Sequence, residues 1–71
     1  MTNEFQLLDV VAIVDNLQTP GVSPGQVGTI IEILDTGVFE VEFCDNDGET
    51  YATLPLRSDQ LMALHYSPVV S

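Results

Sequence analysis

Positive charge is what this sequence most lacks. Arg57 is its one basic residue against eleven acidic ones, a formal net charge of -10 over 71 residues. Phosphate backbones are held by Lys and Arg, so binding to nucleic acid or to an anionic membrane surface is disfavoured. Cysteine is almost as scarce. Cys44 stands alone, which excludes a disulfide framework and suits a reducing compartment. No apolar run approaches the roughly 18 residues of a membrane helix. The amino terminus, Met1-Thr2-Asn3-Glu4-Phe5, has no positive charge and no secretory signal. A cytoplasmic protein is the expectation. A hydrophobic content of 45% argues against disorder. The length allows a single domain, residues 1–71, which buries only about 60% of its unfolded surface.

What the chain does have is a pair of apolar, β-branched runs within residues 26–43, separated by Asp35-Thr36-Gly37. In the second run Phe39, Val41 and Phe43 alternate with Val38, Glu40 and Glu42. That period of two predicts a strand with one dry face and one wet face. Gly37 supplies a positive φ for a three-residue hairpin loop, where Asp35 can bond its own backbone.

Around this hairpin the remaining elements follow in order. Residues 1–7 form a lead-in, with Phe5, Leu7 and Leu8 expected over one end of the core. Residues 10–14, all apolar, predict a short strand covered on both faces. Residues 15–25 form a long irregular loop with turn signals at Pro20-Gly21 and Pro24-Gly25, anchored by Leu17 and Val22. Loops of this kind often carry binding surfaces. Strand two spans 27–34, with Gly28 marking a bulge, a bend or a close backbone approach. Its period puts Val27, Thr29, Ile31 and Ile33 on one face and leaves Ile30 and Leu34 partly exposed. Asp47-Gly48 signals a second hairpin. Residues 50–56 make strand four, in which Pro55 belongs at an edge. A helical turn at 57–60 precedes a last strand at 61–66, and 67–71 form a loose tail. The sum is an all-β, five-stranded, SH3-like, partly open barrel, mainly antiparallel, with a short helical turn before the last strand.

The phrases Leu7-Leu8-Asp9-Val10-Val11-Ala12, Gly25-Gln26-Val27-Gly28-Thr29-Ile30 and Phe39-Glu40-Val41-Glu42-Phe43, followed by Asp47-Gly48 and Asp59-Gln60-Leu61, resemble a family of short bacterial proteins common in cyanobacteria. It is classed as a domain of unknown function (number 4926), and the resemblance covers residues 5–64. It implies an SH3-like barrel and no assigned activity. Encoding of members beside another small protein implies an antitoxin-like or immunity-like pairing. The segment from Gly25 to Ile30 is also similar to the motif of KOW domains, which implies the alternative of an RNA- or ribosome-associated module. The basic loops that do the binding in such domains are missing here.

Catalytic equipment is not apparent. Cys44 and His65 are the only thiol and imidazole, and nothing electropositive stands near Cys44 in sequence to activate it. Asp45, Asp47 and Glu49 suggest a calcium loop, yet the glycine comes fourth and position twelve is Leu56, against the EF-hand order. A charged hairpin tip is the better reading. Glu40 and Glu42, with Glu32 across the hairpin, form a carboxylate stripe on a solvated face, without the burial that acid-base work needs.

The chain therefore reads as a non-enzymatic, acidic protein-binding module. No catalytic, metal or cofactor residues are assigned. Its partner is expected to be a basic protein, steered in by charge. Leu17, Val22, Glu32, Glu40, Glu42 and Tyr51 are the expected contacts. The plainer alternative is that the acidity serves solubility alone, and no residue pattern demands an oligomer.

Overall fold

Alternation over residues 38–44 is realised as a strand whose every second side chain is sealed from water. In the computed structural model, which describes residues 5–16 and 21–64, five strands are present. They are β1 (Val10–Ile13), β2 (Val27–Asp35), β3 (Val38–Cys44), β4 (Thr50–Arg57) and β5 (Leu61–Ala63), with a 3-10 turn at Ser58–Gln60 before the last. All pairings are antiparallel, in one sheet of order β4-β3-β2-β1-β5. Its outer strands, β4 and β5, are not paired with each other, so the barrel is partly open, as expected. No helix among the described residues is long and apolar enough to cross a membrane.

The core collects inward residues from all five strands. Val11, Ile13, Ile30, Phe39, Val41, Phe43, Leu56 and Leu61 are buried, and Val22 joins them from the loop. Val11, Ala12 and Ile13 are consecutive and all buried, so β1 is covered on both faces as its unbroken apolar run predicts. Pro55 lies on β4, an outer strand. A proline there removes no ladder bond that the sheet needs.

The turns follow their residue chemistry. Ser23-Pro24-Gly25-Gln26 closes with the Gln26 amide donating to the Ser23 carbonyl at 3.1 Å. Gly25 sits at φ 93°, the type II arrangement with proline then glycine at the centre. The loop's ends are stitched by Gly25 N–H to the Ile13 carbonyl at 2.7 Å and Ile13 N–H to the Gln26 carbonyl at 3.0 Å. At the β2–β3 hairpin, Asp35 pairs with Val38, so the loop has two residues, Thr36 and Gly37, rather than the three expected. Gly37 has φ 73°, and the Asp35 carboxylate accepts the Thr36 amide at 2.7 Å.

Four expectations are corrected. Ile30 is fully buried, because β2 is turned opposite to the predicted face at its start: Gly28 and Ile30 point inward, and Val27 and Thr29 outward. A register shift between Ile30 and Glu32 then inserts Ile31 as an extra residue and resets the alternation, as a bulge does. Leu7 and Leu8 are exposed rather than capping the core; only Phe5 caps it, packing edge-on against Phe39 at 5.5 Å. Val14, expected inside the first strand, is exposed beyond its end. The last strand is Leu61–Ala63, with Leu64 already outside it, and residues 65–66 of the expected span lie outside the described residues. Leu17, His65 and the tail 67–71 lie outside the described residues.

Candidate functional site

Outward residues of β2, β3 and β4 build a lattice of two rows. In the first, Glu40 of β3 stands opposite Glu32 on one side and Pro55 on the other. In the second, Glu42 stands opposite Thr29 and Thr53. Directly opposed side chains in an antiparallel pair have Cβ atoms about 5 Å apart. Glu32 and Glu40 are thus like charges held face to face. The sheet forms despite this pair and not because of it, since like charges at that spacing are destabilising.

The bulge makes this meeting possible. Without the extra residue Ile31, strict alternation would send Glu32 to the same side as Ile30, into the core. Glu42 is fixed by the hydroxyl of Thr50, which donates to its Oε2 at 2.6 Å. Cys44 Sγ lies 3.7 Å from that same hydroxyl oxygen. The single hydroxyl proton goes to Glu42, so the thiol is the donor in that contact. The exposed Cys44 is in this way the outer member of a short polar chain ending on a carboxylate.

The hairpin tip beyond it is built by Asp45. Its Oδ1 accepts the amides of Asp47 at 2.9 Å and Glu49 at 3.0 Å, and Gly48 N–H donates to its carbonyl at 3.0 Å. That carboxylate is occupied in holding the turn, as aspartates at such positions commonly are.

Of the expected contact residues, the structure brings Glu32, Glu40 and Glu42 together on one face. Val22 is separated from them: at 5% exposure it is a core residue. It fulfils its anchoring role and has almost no surface to offer a partner. Tyr51 is separated too. It falls where the β3–β4 register shifts between Phe43 and Cys44, and its ring lies 6.3 Å from that of buried Phe43 at an interplanar angle of 36°. Its hydroxyl accepts a bond from Gln26 Nε2 at 2.7 Å. Tyr51 therefore closes the rim of the core instead of extending the carboxylate face.

Apolar residues of β2 stand in the open. Ile31 and Ile33, which the strand pattern assigns to the inner face, are exposed at 41% and 49%. Leu34, expected to be partly exposed, is so at 45%. Beside them the amino-terminal segment makes a turn in which Asp9 N–H donates to the Gln6 carbonyl at 3.1 Å and Gln6 N–H to Asp9 Oδ2 at 2.8 Å. Leu8, at the corner of that turn, is 73% exposed and has φ 70°. The only basic side chain, Arg57, stands opposite Val38, two residues along β4 from the Pro55 that faces Glu40, and reaches Asp59 Oδ1 at 3.2 Å.

No curated protein and no solved structure matches this chain. A domain of unknown function, DUF4926, matches residues 7–63, a span that takes in all five strands, the carboxylate rows and the turn at Leu8. The chain belongs to the DUF4926 family.

Proposed function

We propose that this domain is a non-enzymatic protein-binding module whose outer β2–β3–β4 face receives a basic partner. The observation that carries the reading is the opposed pair Glu32–Glu40. Two carboxylates held across a ladder give up stability in the free domain and recover it when a Lys or Arg of a partner lies between them. Glu42, pinned by Thr50, extends the row. The net charge of -10 adds a field that speeds the approach of a cationic surface and repels polyanions, RNA included. The sharpest form of the reading is an antitoxin- or immunity-like partner of a neighbouring gene's product, in keeping with the pairing that the family resemblance implies.

Co-expression with the product of the adjacent gene, followed by purification on a tag carried by this chain, tests the proposal. A complex is expected whose association slows at least tenfold between about 20 and 200 mM salt, since exposed charges are screened over a Debye length of about 8 Å at physiological ionic strength. Glu32→Lys with Glu40→Lys should abolish it while leaving the fold intact. A complex indifferent to both salt and the double substitution would show that this face is not the docking surface.

A further inference from the structure

β2 is nine residues long and β1 only four. The two pair through Val10–Thr29, Val11–Gly28 and Ala12–Val27. Two more bonds follow at Ile30, whose carbonyl accepts the Leu8 amide at 2.7 Å and whose amide donates to the Asp9 carbonyl at 3.0 Å. There the neighbour leaves. Leu8 adopts a left-handed φ of 70°, and the Gln6–Asp9 turn carries the chain off the edge. Register shifts at Ile31 and between Ile33 and Asp35 bend β2 as bulges do, and an added strand would have to follow that bend. Among the described residues, 31–35 pair with β3 alone, and their other edge is open.

The sheet's other open edges are blunted. β5 has three residues and β4 carries Pro55; short length and proline are the usual ways of preventing strand addition. The outer half of β2 is neither short nor interrupted by proline; its protection is its two register shifts and the carboxylates of Glu32 and Asp35, and a basic strand would neutralise the latter. This half presents unpaired backbone over roughly 17 Å, at about 3.3 Å per residue. It is flanked by exposed Ile31, Ile33 and Leu34.

We infer that residues 31–35 of β2 are an addition site for an extended, basic segment of a partner protein. Main-chain bonds to the open edge supply affinity, and alternate side chains of the added strand read the flanking residues. Charge selects this occupant over a second copy of the chain. Glu32 and Asp35 lie on the strand itself and Glu40 is opposite, and two chains of net charge -10 repel each other. This deepens the docking proposal above and rests on it.

The probe is a synthetic eight-residue peptide of alternating Val and Lys with blocked ends, added to the full chain, with amide exchange followed by NMR. In the free protein the edge amides among residues 31–35 should exchange rapidly; saturating peptide should slow them at least tenfold. Leu34→Lys and Ile33→Lys, both at exposed positions, should each weaken binding tenfold or more without lowering Tm. A Val–Glu peptide should not bind. Slow exchange in the free protein would overturn the inference. Sedimentation would then assign the edge to the chain itself if monomeric, or to a second copy if dimeric. If the peptide perturbs Glu40 and Glu42 while leaving exchange at 31–35 unchanged, the edge is wrong and the docking face survives. Absence of any binding also sinks the edge site, and the face then stands or falls on its own co-purification test.

Discussion

Gly28 and Phe43 occupy neighbouring strands so closely that a methyl group on Gly28 would lie 2.8 Å from the Phe43 ring and 2.7 Å from Val41 Cγ1. The glycine is therefore required by packing and not by an unusual φ. Both blocking atoms belong to fully buried side chains, which cannot swing aside. Gly28→Ala should destabilise the domain by about 1–3 kcal/mol, the cost of overpacking a filled core. Urea unfolding measures it, and an unchanged midpoint would show that β2 and β3 can separate to admit the methyl.

Reversing one charge of the opposed pair should stabilise the free protein. Glu32→Lys replaces repulsion across the ladder by attraction and reduces the net charge, for a gain of about 0.5–1 kcal/mol after solvent screening. The same substitution should weaken capture of a basic partner. A gain in stability together with a loss of binding is the signature of a face kept for function; loss of both would instead mean that the introduced lysine disturbs the bulge.

Salt should raise the thermal stability of the unmodified chain. Eleven carboxylates with one cation repel one another in the compact state, and screening relieves them. The Tm should climb as NaCl rises from about 10 to 500 mM and change less in the Glu32→Lys variant. A Tm that falls with salt would show that attractive pairs dominate.

At Leu8 the strained φ makes a graded prediction. Leu8→Asn, a residue that tolerates the left-handed region, should match or slightly exceed the parent in stability. Leu8→Val should cost about 1–2 kcal/mol, because a β-branched side chain crowds that conformation most. Equal stability of all three would mean that the turn re-forms with a negative φ.

Asp45→Ala should loosen the β3–β4 tip by about 1 kcal/mol, since two backbone amides lose their acceptor. Asp47→Ala, whose carboxylate holds no amide there, should cost much less. Chemical denaturation of the pair separates a turn built by one carboxylate from a general dependence on acidic residues.

Much of the architecture is legible in the residue order. Phe39, Val41 and Phe43 announce their buried face by alternation, Pro24-Gly25 and Asp47-Gly48 announce turns, and Pro55 announces an outer strand. Each of these depends on local backbone chemistry or on a strand's own period, which a sequence carries directly. The acidic character, and with it the class of partner proposed, is likewise independent of the fold.

Only the tertiary structure decided the face and the edge of β2. A period of two read along Val27 to Leu34 has two equivalent phases, and partners choose between them: Ile30 goes inward because Gly28 must lie against Phe43. The bulge at Ile31 then reverses the phase and brings Glu32 opposite Glu40. Tyr51 is redirected in the same way by the irregularity at Phe43 and Cys44. An inserted residue leaves composition and local propensity unchanged, and it acquires meaning only against the strand beside it.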